Sequence, residues 1–148
     1  MANSPNQKRK RAERARDLLR ELQQRFPDCF GRQRKTIRPI AIGIDRALRE
    51  TFDNDPDMAK TPNWLIRQCL AIHTRSPAYL DAVIAGGDRV DLSGNPVEPV
   101  TAEAIELART RREEQRARAA ERRQKKRADE EAARRQARLE QLAKHFND

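Results

Sequence analysis

Two guanidinium groups and one phenol fall close together in the sequence, and such groups bind phosphates and sugars. Arg75 and Arg89 bracket Tyr79. A guanidinium such as that of Arg89 can donate two hydrogen bonds to a phosphate or a ribose oxygen, and a phenol offers a stacking face and a hydroxyl. Both residues also have a structural interpretation, because Arg89 could pair with Asp88 or Asp91 and Tyr79 could lie in the core. The combination indicates binding of an anionic polymer.

Further cations and hydroxyls lie where they could contact phosphate. The loop 32–38 is basic and contains no acidic residue. Lys60-Thr61 and Arg75-Ser76 each precede a predicted helix start, where free backbone N–H groups suit a phosphate, although ordinary capping explains the same residues and both can hold at once. His73 is more typical of a half-buried helix position than of a catalyst. The candidate binding residues are Arg32, Arg34, Lys35, Arg38, Lys60, Thr61, Arg67, His73, Arg75, Ser76, Tyr79 and Arg89.

The sequence offers little to an enzyme. It has no Ser/His/Asp arrangement, no phosphate-binding glycine loop and no metal-ligand spacing. The aspartates at 53, 55 and 57 resemble a calcium loop only superficially, since the glycine and the closing glutamate of an EF-hand are missing. Cys29 and Cys69 stand apart, so we interpret them as buried free thiols. We predict a protein without enzymatic activity, cofactor or metal.

Charge is distributed unevenly along the 148-residue chain, whose net charge is +9. The first 25 residues are strongly basic, residues 26–100 are neutral overall, and the remainder is basic again. Most large apolar residues fall in the neutral segment. We therefore predict a basic N-terminal arm over residues 1–16, a domain over 17–108 and a charged helical extension over 109–148. The charge favours nucleic acid or an anionic membrane as the partner.

Membrane association is not expected, because no apolar run could span a bilayer and no signal-peptide core is present. We expect a cytoplasmic protein.

Helices are predicted on both sides of the candidate residues. Helical spacing of apolar residues runs from about Lys8 to Gln24, and Pro27 cannot continue that helix. Residues 1–7 are expected to be disordered. Lys8–Arg11 crowd the first turn, where the helix dipole disfavours cations. This is either a frayed, solvated end or an arm that tracks phosphates.

Local start signals predict the next three helices. A short helix is expected over about Asp45 to Phe52, with Asp45 as its cap. Thr61-Pro62 predicts a second, with a cap hydroxyl followed by proline at the first helical position. Ser76-Pro77 repeats this signal for a third, which Gly86-Gly87 ends.

A small hairpin and a long helix complete the predicted fold. Arg89–Leu92 and Pro96-Val97 flank a turn at residues 93–95. Thr101 caps the last helix, in which alanine is the only apolar residue from Arg109 to Arg138. Acid-first i,i+4 pairs support it, and we expect it to be exposed and partly frayed. It has no heptads of large apolar residues, which argues against a coiled coil. The pairs are Glu114–Arg118, Glu121–Lys125, Glu130–Arg134 and Glu131–Arg135.

Four segments in this order resemble ProQ/FinO-domain RNA-binding proteins. They are Phe26-Pro27 with Phe30, Arg38–Ile44, the helix with Tyr79-Leu80, and Arg89–Pro96. The resemblance covers about residues 20–108 and implies a mainly α domain with a small β-hairpin. It also implies an RNA chaperone for small regulatory RNAs, which holds the base of a terminator hairpin and its 3′ uridine tail. The terminal sugar would lie between the helix of Tyr79 and the hairpin of Arg89, with duplex phosphates at a nearby helix N-terminus.

The sequence differs from the family pattern at Ala41 and Ala71, where basic residues are common, and at His73, where tyrosine is common. Residues 60–67 also form a slightly longer stretch than in enterobacterial members. We predict a monomer that binds small regulatory RNAs and mRNA 3′ ends, protects them and promotes RNA–RNA pairing. Two alternatives remain: a DNA-associated helical protein, and an interaction protein that docks a partner on its long C-terminal helix.

Overall fold

The computed structural model describes residues 4–147. Within them, the chain forms α1 (Pro5–Arg25), α2 (Ile44–Asp53), α3 (Asn63–Arg75), α4 (Pro77–Ile84), β1 (Asp88–Val90), β2 (Pro96–Pro99) and α5 (Ala102–Asn147). The predicted class, mainly helical with one small hairpin, is confirmed. The chain divides into two units between Arg111 and Arg112. In the part of the chain that the structure describes, no helix has the length and apolar character needed to cross a membrane.

Helix α1 begins earlier than predicted. The Ser4 hydroxyl accepts a hydrogen bond from the Gln7 backbone N–H, and the Gln7 side chain accepts one from the Ser4 backbone. This capping box, with Pro5 at the first helical position, starts the helix before the apolar repeat does. The prediction of disorder is therefore wrong for residues 4–7, while residues 1–3 lie outside the described residues. Ala15, Leu18 and Leu22 are its buried residues, and α1 packs against α3.

Helices α2 and α3 start at other residues than predicted. Gly43, in the left-handed region at φ +86°, precedes α2, so Asp45 lies inside the first turn and is not the cap. The N-cap of α3 is Pro62, which has no side-chain cap hydrogen bond. The predicted Thr61 cap is wrong, because the helix starts one residue later: the Pro62 carbonyl accepts the first helical hydrogen bond, from the Ile66 N–H at 3.3 Å.

The start of α4 and the hairpin form as predicted. The Ser76 hydroxyl accepts a hydrogen bond from the Tyr79 N–H at 3.2 Å, and Pro77 is the first helical residue. Strands β1 and β2 are antiparallel, with Arg89 opposite Glu98. Ile40 adds a parallel bridge to Val90, so residues around Ile40 lie along β1. This bridge brings the chain that follows the basic loop onto the hairpin.

The core of the domain lies between the helices and the hairpin. Its fully buried large side chains are Leu22, Cys29, Phe30, Leu48, Phe52 and Cys69. Both cysteines are free and buried, as predicted, and burial raises the pKa of each thiol to about 12.

Helix α5 is capped by Thr101, whose hydroxyl accepts from the Ala104 N–H at 3.1 Å, as predicted. The predicted pair of Glu114 and Arg118 also forms, at 3.9 Å.

Candidate nucleic-acid interface

The side chains of Tyr79 and Arg89 meet at the backbone of Ile40. The Ile40 N–H donates to the Tyr79 hydroxyl at 3.1 Å, and the Arg89 guanidinium donates to the Ile40 carbonyl at 3.0 Å. Within residues 4–147, Arg89 forms no ion pair with Asp88 or Asp91, which had been its structural alternative. Arg89 also hydrogen-bonds the Tyr79 hydroxyl, but a guanidinium has five N–H donors, so this partly exposed side chain can still bind a further acceptor.

Tyr79 belongs to the core, and its hydroxyl lies beside the partly exposed Arg89. The residue is 5% exposed, which leaves no open ring face for a stacked base. Burial raises the pKa of its hydroxyl, and the Ile40 hydrogen bond and the nearby Arg89 charge act in the opposite direction. The hydroxyl is thus protonated at neutral pH. Since it accepts from Ile40, its own proton can be donated to another oxygen.

His73 lies behind Tyr79 rather than on the surface. It is 3% exposed, and its ring centroid lies 5.2 Å from that of Phe30 and 5.2 Å from that of Tyr79. Its Nε2 has no hydrogen-bond partner among the described residues, and burial lowers its pKa to about 4. The imidazole is therefore neutral at neutral pH and supports the Tyr79 ring from inside.

The basic loop 32–38 is attached to α4. The Arg34 guanidinium contacts the Asp81 carboxylate of α4 at 2.5 Å. Arg32, Lys35 and Arg38 are exposed, and these three line a cavity of about 460 Å³ together with residues from the end of α1 and the following turn. A Cβ atom at Gly31 would lie 2.5 Å from the Thr36 carbonyl, so glycine is required for this loop to fold back on itself.

A different arginine, Arg49 of α2, organises the start of α3. Its guanidinium donates to the carbonyls of Thr61 at 2.5 Å and Ala59 at 3.0 Å, and to the Asn63 side chain at 3.2 Å. Lys60, between two of these residues, is exposed. Sequence analysis missed this role of Arg49. Its local ion pair with Asp53, at 2.9 Å, gives no sign of the three loop and helix-start partners, which lie ten or more residues away.

The predicted residues fall into two groups at opposite ends of α3. Lys60 and Thr61 precede its first turn, and the exposed Arg67 lines a cavity of about 190 Å³ beside α2. The other end holds the exposed Arg75, the cap Ser76 and, through the contacts above, Arg34, Tyr79 and Arg89. At 1.5 Å per residue, the thirteen residues of α3 place Lys60 and Thr61 about 20 Å from the second group, and Arg67, in the second turn, lies about 12 Å from Arg75. Arg32, Lys35 and Arg38 extend the second group along the basic loop.

Trp64 and two arginines of α1 are a further feature that sequence analysis missed. The guanidinium carbons of Arg11 and Arg14 each lie 5.2 Å from the centre of the Trp64 ring, in the first turn of α3. The only available signal was the single tryptophan of the chain, next to a predicted helix start.

Comparison with known proteins gives one family and consistent structural neighbours. The model of the ProQ/FINO family matches residues 12–127. A FinO-like RNA chaperone from Neisseria meningitidis has a TM-score of 0.53 and 26% identity, over 66% of this chain and 73% of that one. A ProQ homologue from Legionella pneumophila, solved by NMR, has a TM-score of 0.56 and 30% identity, over 66% of this chain and 79% of that one.

Proposed function

Because the chain belongs to the ProQ/FinO family, we propose that it is an RNA-binding chaperone of structured small RNAs. It binds the base of a terminator hairpin together with the single-stranded 3′ tail, protects that end and promotes pairing with a second RNA. The likeness to a FinO-like RNA chaperone supports the general function. The protein acts as a cytoplasmic monomer on small regulatory RNAs and mRNA 3′ ends, and the proposal includes no enzymatic step.

The meeting of Tyr79 and Arg89 at Ile40 carries the proposal for the 3′ end. The Arg89 guanidinium is held at one edge by the Ile40 carbonyl, at 3.0 Å, and its other donors bind the terminal phosphate or ribose. The Tyr79 hydroxyl is fixed by the Ile40 N–H and donates its proton to a sugar oxygen. A free 3′ hydroxyl suits this pair, whereas a 3′ phosphate adds bulk and charge.

The remaining cations bind phosphates along the hairpin. The basic loop lies beside α4 through the Arg34–Asp81 contact, so it can follow the strand that leads away from the 3′ end. Such contacts position RNA without reading its sequence. The other group, whose Lys60 and Thr61 lie about 20 Å away along α3, takes the duplex end of the ligand. Its members are Lys60, Thr61 and Arg67, while Arg32, Lys35, Arg38, Arg75 and Ser76 belong with the first group.

Promotion of pairing follows from the charge of the whole chain. Two RNA strands repel each other through their phosphates, and a bound protein with a net charge of +9 lowers that repulsion. Protection follows from the contacts at Tyr79 and Arg89, because a 3′ end held by the protein is not accessible to an exonuclease.

One hairpin with three different ends tests the proposal. The RNAs carry a 3′ hydroxyl, a 3′ phosphate or no uridine tail, and affinities are measured at one salt concentration. We expect the 3′ hydroxyl RNA to bind at least several-fold tighter than the others, and Arg89→Ala to remove that preference. Arg20→Ala is the matched control, since Arg20 pairs with Asp17 on the exposed face of α1. Equal binding of all three RNAs would refute recognition of the end, and equal binding of a duplex DNA competitor would favour the DNA-associated alternative.

A further inference from the structure

Two arginines of α1 are held by the face of one aromatic ring. Arg11 and Arg14 lie three residues apart on the side of α1 that also carries the buried Ala15 and Leu18. Each places its guanidinium carbon 5.2 Å from the centre of the Trp64 ring. Both distances are within the range of a cation–π interaction. The contact joins the basic half of α1 to the first turn of α3.

This arrangement leaves the charge of both guanidiniums uncompensated. Three other arginines of α1 have oxygen partners: Arg9 bonds to Asn6, Arg20 to Asp17, and Arg25 to Glu21 and Asp55. Within residues 4–147, Arg11 and Arg14 have neither an ion pair nor a hydrogen bond. A guanidinium that contacts a ring through its face keeps its five edge N–H groups for another ligand. Trp64 therefore orders the two cations without neutralising them.

The surroundings favour a ligand with several negative charges. The first turn of α1 contains no acidic residue, and Lys8 and Lys10 are exposed nearby in the sequence. Lys60 is exposed four residues before Trp64, next to the start of α3. Two guanidiniums on one ring, continued by further cations along α1 and before α3, match the regularly repeated phosphates of a nucleic-acid backbone better than a single small anion.

We propose that Arg11, Arg14 and Trp64 form an additional contact for the phosphate backbone of the RNA hairpin, adjoining the first turn of α3. This inference rests on the proposed function and extends it, because it replaces a diffuse basic arm with a defined contact between α1 and α3. It lies at the α3 end that holds Lys60 and Thr61, remote from the pair of Tyr79 and Arg89. It therefore adds affinity for the duplex without affecting recognition of the 3′ end.

Two double variants with the same loss of charge test the inference. Arg11→Gln/Arg14→Gln removes the cations on Trp64, and Arg9→Gln/Arg16→Gln removes two cations from the opposite face of the same helix. We expect hairpin RNA affinity to fall on the order of tenfold in the first variant and only about twofold in the second. The first variant should also show the larger decrease in salt dependence. Equal losses would overturn the inference, since a diffuse arm does not distinguish the two faces.

The single tryptophan provides a second, direct readout. Addition of the hairpin should change the Trp64 emission of the wild type, and this change should be lost in Arg11→Gln/Arg14→Gln while thermal unfolding shows that the domain remains folded. Trp64→Phe keeps a ring for the cations and should retain most of the affinity, whereas Trp64→Leu should match the arginine double variant. No change in emission on binding, or full affinity in Trp64→Leu, would contradict the role of the ring.

Preference for the 3′ hydroxyl separates this inference from the proposed function. We expect Arg11→Gln/Arg14→Gln to bind all RNA ends more weakly by the same factor and to keep the preference. An intact preference with wild-type affinity would overturn the contact at Trp64 alone. A wild-type protein that binds no hairpin RNA would overturn the proposed function and this inference with it.

Discussion

At the scale of single residues, the Tyr79 hydroxyl has a partner inside the protein as well as a proposed one outside it. It accepts the hydrogen bond of the buried Ile40 N–H at 3.1 Å. Tyr79→Phe leaves that N–H without an acceptor, so we expect a loss of roughly 1–3 kcal/mol in the free energy of unfolding. Urea unfolding at pH 7 measures this loss of free energy. Arg89→Lys, which keeps the Tyr79 hydroxyl, is the comparison. An unchanged midpoint would mean that Ile40 finds another acceptor.

His73 predicts how stability depends on pH. Burial lowers its folded-state pKa to about 4, below the ordinary value of 6.5, so the unfolded chain binds the proton more readily. The contribution of neutral His73 to the stability of the folded state is complete above pH 6.5 and is lost as the pH falls towards 4. Between pH 7 and pH 5 we expect the free energy of unfolding to decrease by about 1–2 kcal/mol from this residue.

The matched variant for this prediction is His73→Phe, which keeps a ring between Phe30 and Tyr79. Its free energy of unfolding should change less between pH 7 and pH 5 than that of the wild type. The Asp55 carboxylate, whose pKa the Arg25 guanidinium lowers, loses its contribution only at lower pH. The same pH dependence in both proteins would show that His73 is not the group responsible.

The sequence suggests candidate side chains for the site but not their geometry. Tyr79 and Arg89 are candidates because a phenol and a guanidinium suit the binding of sugars and phosphates. Their common partner, Ile40, lies 39 and 49 residues away along the chain. The same limit explains Arg34, whose contact with Asp81 spans 47 residues. Side-chain type is a local property, whereas these contacts depend on the complete fold.

At the scale of elements, Arg49 fixes the loop that leads into α3. Pro62, the N-cap, makes no side-chain cap hydrogen bond, and the Arg49 guanidinium donates to the carbonyls of Ala59 and Thr61 just before it. We expect Arg49→Met to reduce the free energy of unfolding by about 1–2 kcal/mol. It should also increase hydrogen exchange in residues 63–66 and weaken hairpin binding without changing the preference for a 3′ hydroxyl.

Arg46→Met is the control for Arg49, since Arg46 is an exposed arginine on the same helix. It should leave hydrogen exchange in α3 as it is in the wild type. Similar exchange in both variants would argue that the loop 59–63 holds its shape without the guanidinium.

Element boundaries were predictable where a local signal decides them. Ser76-Pro77 and Thr101 act within three residues of the helices they start, and both were found from the sequence. Thr61 is not the cap because Arg49 binds its carbonyl and the carbonyl of Pro62 accepts the first helical hydrogen bond. Ser4 was missed for another reason: its capping box precedes the apolar repeat from which the helix was recognised.

At the scale of the whole molecule, the buried hydrophobic residues extend from Ala15 to Ala108. Removal of residues 112–148 therefore deletes none of them, and we expect the thermal midpoint to stay within about 2 °C of the full chain. Hairpin affinity should fall modestly, with a weaker salt dependence, because the segment carries excess positive charge. A complete loss of RNA binding would place the main site on α5.

Removal of residues 1–16 is a different experiment, although these residues were predicted to be an arm. Helix α1 continues through the predicted boundary, and Ala15 is fully buried. We expect this deletion to lower the thermal midpoint as well as RNA affinity, since it removes part of the packing between α1 and α3. A midpoint equal to that of the full chain would show that α1 contributes charge alone.

Alkylation of the two buried thiols can report how the domain unfolds locally or as a whole. A protonated thiol in the core does not react with an alkylating reagent, so labelling of Cys29 or Cys69 requires a fluctuation that exposes it. Cys29 follows α1 and Cys69 belongs to α3, and the two sites can be followed separately by peptide mass. Equal labelling rates mean that the domain opens as one cooperative unit, and faster labelling of Cys29 means that the region after α1 opens by itself. If RNA binds at both ends of α3, it will slow the labelling of Cys69 in proportion to the fraction of protein that is bound to RNA.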